Sequence, residues 1–310
     1  MIHNSSLPEK LVSRLKKDEL CIFLFHGVTK KNNFSVRNYT GKHIDLDLFS
    51  RCMEALNING TAISMDEVIN VFDNKKIFPK YPFAITFDDG FENNLSIASP
   101  ILNDFSIPFT IYLTTNFIEN NDMSWTDKIE YATQNTSRKE FKEEILNKKF
   151  FLRSKNEKIS FLKEIRKLVK NNKSIDPITY SHNLCKELNV EIIEEEKDEL
   201  LDRKISWEQI NFYKANPLIT FGGHSHTHKI LSFLDDDELS SELDISLNLL
   251  KEKGNLKVEH YSYPEGLRNC FSQKVIREMK IRGIKCCPTA MDGTNTSKTD
   301  LFKLKRIIVG

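Results

Sequence analysis

Phe83-Ala84-Ile85-Thr86-Phe87-Asp88-Asp89-Gly90 joins a short apolar run to two adjacent carboxylates and a glycine. The first five residues have the β-branched and aromatic character of a buried strand. Two neighbouring Asp side chains at a strand end repel each other and lose hydration, a cost that a bound cation relieves. In extended chain, alternate residues face opposite ways, so both carboxylates reach one site only if the backbone turns there, and Gly90 permits that turn. A surface Asp-Asp-Gly turn satisfies the same tetrapeptide, so these residues alone leave both readings open.

Six other runs share the strand character, starting at Cys21, Phe109, Leu218, Val258, Ile284 and Leu304. Helical spacing of apolar residues fills the gaps, over Leu46 to Leu56 with Asp45 as N-cap, Asp66 to Phe72, and Asp236 to Lys253 ending at Gly254. Strands alternating with helices predict a parallel α/β sheet, and about seven strands fit a closed or nearly closed barrel whose chemistry gathers at the C-terminal strand ends. Trp125 to Ser206 breaks the pattern. It is dense in Lys and Glu, poor in Gly and without an evident strand, so it reads as a helical insertion between the third and fourth strands. With no repeat or low-complexity linker, residues 1–310 are expected to form one barrel domain carrying that insertion (about 125–206).

A second polar cluster, Gly222-Gly223-His224-Ser225-His226-Thr227-His228, follows another apolar strand. His224 and His228 are four apart and share a face if helix begins there, so both imidazoles can bind one divalent ion. A polar loop with incidental histidines is the plainer alternative. Together the clusters supply one carboxylate and two imidazoles, an open metal site of the hydrolytic kind, with the spare Asp a natural general base.

These motifs resemble those of the polysaccharide deacetylases (NodB-type, carbohydrate esterase family 4). Thr86 to Gly90 is similar to the family's TFDDG motif and His224 to His228 to its H-[S/T]-x-x-H motif; Ile205 to Ile210 also looks like this family. The resemblance implies a distorted (β/α)7 barrel. It also implies Asp88 as base, with Asp89, His224 and His228 as ligands of a divalent ion, most readily Zn²⁺. Ser262-Tyr263-Pro264-Glu265-Gly266 resembles the third motif, usually Arg-Pro-Pro-Tyr-Gly, with Ser262 in place of the arginine and Glu265 in place of the tyrosine. By position the Glu265 N–H is the oxyanion donor, and Arg306 on the last strand is the candidate to orient Asp88 instead of the lost arginine. No histidine follows His260, so the family's late acid is missing. Phe25-His26 resembles the Tyr-His of the exopolysaccharide-deacetylase branch, which makes His26 the expected acid. Trp125, Asp127 and Tyr263 are the expected substrate contacts.

The expected activity is metal-dependent removal of an N-acetyl or other N-acyl group from a sugar, in building or modifying a bacterial surface glycan. The rivals are a degenerate barrel that binds glycan without turnover, and an amidase or deformylase for a non-sugar substrate. A formal net charge of +1 gives no global electrostatic case for nucleic acid. No apolar run has the length of a spanning helix, and the first residues show no signal peptide. Six cysteines without CxxC spacing suit reduced thiols, so the expected setting is cytoplasmic or membrane-peripheral.

Overall fold

The computed structural model describes residues 6–31, 34–74, 76–192 and 201–310. Its main sheet runs Ile307–Ile308, Cys21–Phe25, Pro82–Phe87, Phe109–Leu113, Ile219–Gly223, every neighbouring pair parallel. Cys21–Phe25, Pro82–Phe87 and Phe109–Leu113 are buried along their whole length, as expected where helices cover the outer face. Phe25 and Phe87 meet in register and pack with Phe49 from the helix Leu46–Asn59. Asp45 caps that helix by accepting the N–H groups of Asp47 and Leu48.

Beyond Gly223 the sheet thins to single parallel bridges, Gly223 to Tyr261, His260 to Cys286 and Pro288 to Leu304. These lead back toward Ile307–Ile308 and the first strand, so the sheet curls as the expected distorted barrel does while its ladders leave it open. The expected strands from Val258 and Ile284 are therefore reduced to ladder fragments. Pro264 and Pro288 explain part of this, because a proline has no N–H to give to a neighbouring strand.

The insertion between the third and fourth barrel strands is mainly helical, with helices Trp125–Asn135, Lys155–Asn171 and Pro177–Glu187. It also holds an antiparallel hairpin, Glu140–Glu143 with Lys148–Phe151, which corrects the expectation of a strand-free insertion. Phe141 and Phe150 lie opposite each other on the hairpin's inner face and meet the ring of Phe161, while Lys142, Lys148 and Lys149 face solvent and Glu143 is buried, accepting from the Leu146 N–H and the Tyr180 hydroxyl. Residues 193–200 of the expected insertion lie outside the described residues.

Candidate active site

Backbone geometry brings the two carboxylates together. Asp89 and Gly90 both take left-handed conformations, φ 73° and 67°, so the chain turns sharply where the strand ends. Asp tolerates this region better than most residues because its short polar side chain bonds locally. The histidines are assembled differently from the helical reading. Residues 224–228 form a loop, not a helix, with Ser225 and His228 at positive φ. The Ser225 N–H donates to the Tyr261 hydroxyl, the His228 N–H to Ser225 Oγ, and the Thr227 hydroxyl to Glu242. Gly223 precedes this loop because a Cβ there would lie 2.1 Å from the Tyr261 ring.

Asp88 is held by a two-pronged ion pair. Arg306 Nη1 and Nη2 donate to its two oxygens at 2.8 and 2.7 Å, and Ser262 Oγ lies 3.2 Å from Oδ2. Arg306 is itself fixed by donating to the Thr289 carbonyl and to Ser262 Oγ. Burial alone would raise the Asp88 pKa, but the Arg306 and His224 charges outweigh it and hold the group below the ordinary carboxylate range.

Asp89 faces two imidazoles. Its Oδ1 lies 3.2 Å from His228 Nε2 and 3.5 Å from His224 Nε2. His224 Nδ1 sits 2.9 Å from the Ser262 carbonyl, an acceptor only. Nδ1 therefore carries the proton, and the Nε2 lone pair points toward Asp89. Lone pairs of a carboxylate and an imidazole at this separation need a proton or a cation between them. Asp89 Oδ1 is buried and has no hydrogen-bond partner. The donor atoms of Asp89, His224 and His228 lie within 4.8 Å of one another, so the three fit a divalent cation.

Lys42 was not singled out from sequence. Its Nζ lies 2.9 Å from Asp89 Oδ2 and 3.2 Å from Asp127 Oδ1. Nothing in the sequence around Lys42 signals this, because its partners lie about 47 and 85 positions away. Burial would raise the Asp89 pKa, yet Lys42 and the two histidines hold it well below the ordinary value. Burial would lower that of His224, but Asp88 and Asp89 raise it.

A cavity of about 230 Å³ opens over these groups and includes His26, Lys42, Asp88, Asp89, His224, His228 and Glu265 in its wall. Burial pushes the His26 imidazole down to about 4, against the raising effect of Asp89. Glu265 has φ 61°, and its carboxylate contacts Lys170 from the insertion. Burial would raise its pKa, but Lys170 and His228 bring it down to about 2. A second cavity of about 190 Å³ adjoins the first, sharing Lys170, His228 and Glu265, with Trp125 in its wall.

Two expected substrate contacts are placed otherwise. Tyr263 is fully buried, stacked on Phe271, and its hydroxyl donates to the Phe302 carbonyl, so it is a packing residue. Asp127 lines neither of these two cavities. It accepts from Ser124 Oγ at 2.7 Å and sits behind Lys42, where cationic neighbours hold its carboxyl far below the usual range despite burial. Trp125 is mostly buried among Ile129, Phe161 and Leu184, with part of its surface on the second cavity.

A parallel barrel with a paired Asp-Arg and an Asp-His-His trio at its strand ends defines a hydrolase acting on amide bonds. The family model for polysaccharide deacetylase matches the chain over residues 75–204 and 192–284, and the chain belongs to that family. The fold is similar to the deacetylase PplD of Streptococcus pyogenes in complex with acetate, at 15% identity and TM-score 0.60 over 95% of this chain and 93% of that one. It is also similar to IcaB from Ammonifex degensii (15%, TM-score 0.58, 96% and 94% covered) and to the BpsB deacetylase domain from Bordetella bronchiseptica (15%, TM-score 0.55, 94% and 96% covered). No curated protein matches the chain in sequence. Among the described residues no helix is long and apolar enough to cross a membrane.

Proposed function

We propose that the chain removes the N-acetyl group from a sugar of a bacterial surface polysaccharide or its precursor. The observation that carries this reading is the Arg306-held Asp88 beside the Asp89-His224-His228 trio, within a polysaccharide deacetylase barrel. Asp89, His224 and His228 would hold a divalent ion, with zinc the best match to two imidazoles and one carboxylate. When bound, that ion supplies Lewis acidity toward the acyl carbonyl and its attacking water.

The chain's own groups do the rest. Asp88, kept ionised by Arg306, takes a proton from the water as its oxygen bonds to the acyl carbon. By its position in the third motif, the Glu265 N–H is assigned as donor to the oxygen that becomes negative. The C–N bond then breaks as the nitrogen gains a proton, releasing acetate and a free amino sugar. His26 delivers that proton. It is neutral at rest, so the proton it passes on is the one Asp88 has taken from water. Trp125 offers an aromatic wall to the sugar in the second cavity. We place the reaction in the cytoplasm, because all six cysteines are unpaired thiols, as in a reducing compartment. The arginine missing at Ser262 favoured a degenerate binder, but Arg306 bonded to both Asp88 oxygens counts against that rival.

The test is mass spectrometry of N-acetylated mono- and oligosaccharides incubated with metal-loaded protein, with and without chelator. Metal-dependent release of acetate and an amino sugar is expected. Hydrolysis of simple formamides or acetamides with every sugar untouched would replace this reading with the amidase one.

A further inference from the structure

We propose that Lys170 makes the insertion an electrostatic part of the active site, by cancelling the Glu265 carboxylate beside the place where the acyl oxygen becomes negative. The inference rests on the deacetylase reading for where that charge develops. Glu265 and Lys170 line both cavities, and their side chains are only 11% and 24% exposed. Lys170 Nζ contacts Glu265 Oε2 directly.

Glu265 follows Pro264 at φ 61° and precedes Gly266 at φ 60°, so it sits on a tight loop whose amide is the proposed oxyanion donor. A residue that donates through its backbone while carrying a carboxylate works against itself. The carboxylate lies a few bonds from the N–H and repels the anion which that N–H is meant to hold. Burial weakens solvent screening and sharpens this conflict. A cation in contact with the carboxylate removes it. Arg166, paired with Glu130 at 3.0 Å, and His228 also act on Glu265 through their charges, but Lys170 is the cation whose Nζ touches the carboxylate. Lys170 comes from the helix Lys155–Asn171, some 95 positions from Glu265, so the pairing exists only because the insertion folds over the barrel mouth. Lys170 is thus a positioning residue: it acts through Glu265 and touches no reacting atom.

Acetate, the anionic product, reports the field at this position without turnover. Its affinity for the zinc-loaded protein can be followed by calorimetry in Lys170→Met, Glu265→Gln, the double variant and Lys170→Arg. Lys170→Met should bind acetate about tenfold more weakly, because an unpaired buried carboxylate then faces the ligand. Glu265→Gln should bind more tightly than Lys170→Met, the double variant should return most of the loss, and Lys170→Arg should restore binding through the retained charge. On a turned-over substrate, Lys170→Met should lower kcat more than it raises KM, and the second substitution should recover kcat. Acetate binding that is unchanged in Lys170→Met, or that stays as weak in the double variant, would overturn the proposal. The expected acetate pattern in a protein that deacetylates no sugar would instead overturn the deacetylase reading and leave the charge pairing standing.

Discussion

Asp88 and Asp89 are chemically identical neighbours that their surroundings turn to different work. Asp88 is anchored at both oxygens by Arg306 and at Oδ2 by Ser262, whereas Asp89 keeps one oxygen without a hydrogen bond, aimed at two imidazoles. The two motifs and their family resemblance made Asp88, Asp89, His224 and His228 candidates in the sequence, and the lost arginine made Arg306 one; the fold brings these side chains together. Lys42, Lys170 and the burial of Tyr263 were not legible, because each depends on contacts between segments far apart in the chain. Asp88→Asn should retain its zinc stoichiometry, measured by atomic emission, while kcat drops by about 10²–10⁴-fold, the usual cost of losing a general base. Arg306→Met bears on pH. In the wild type Arg306 keeps Asp88 below its ordinary pKa, so with Asp88 as base the acidic limb of kcat/KM should lie at low pH. Without the guanidinium, burial is opposed chiefly by the His224 charge alone and raises that pKa, so the limb should move to higher pH. An unmoved limb would mean that another group sets it. His26→Ala should slow an amide substrate while sparing an activated ester, whose leaving group departs without a proton. Equal losses on both would make His26 a structural residue.

At the scale of elements, the insertion shows how composition can mislead. Glu140-Phe141-Lys142-Glu143 and Lys148-Lys149-Phe150-Phe151 look like solvated helix faces when only charge density is weighed. The alternation that marks a strand rests on Phe141 and Phe150 alone, too few positions to overrule the Lys/Glu signal. In the fold those rings close on Phe161 with centroids 5.6 and 5.1 Å away, and the hairpin exists to complete that cluster. Phe161 is fully buried, so Phe161→Ala should cost about 3–5 kcal/mol in the insertion's core. The same helix carries Lys170 at the mouth of the site. Chemical denaturation should therefore show an earlier transition in Phe161→Ala, accompanied by lost activity, although the substituted ring lines neither active-site cavity. Full activity despite the loss of stability would detach the insertion from function.

Over the whole molecule, charge burial ties stability to pH. The parallel strands were readable because most are apolar runs, while their order and the sparse pairing past Gly223 were not, since prolines and single bridges leave no periodic trace. The curled sheet gathers the strand ends, and with them several buried ionisable groups. His26 is held at about 4 and His43 well below its ordinary value, in both cases chiefly by burial. Unfolding returns both to about 6.5. Between those values the unfolded chain binds protons that the folded chain refuses, so stability falls as pH drops below about 6.5. His224 works the other way in the metal-free protein, since Asp88 and Asp89 raise its pKa against burial, but it is one group against two. Asp88, Asp89, Asp127 and Glu265 are all depressed, so their contribution is present above about 4 and is lost as pH falls through their folded values. The urea midpoint of the metal-free protein should therefore decline from pH 7 to 5 and more steeply below 4. Zinc should raise the midpoint at pH 7 by an amount that shrinks toward pH 5, because protons compete for the ligand imidazoles. A flat midpoint from pH 7 to 5 without metal would show that His26 and His43 are not held neutral by the fold. A zinc effect independent of pH would show that the ion is bound elsewhere than at Asp89, His224 and His228.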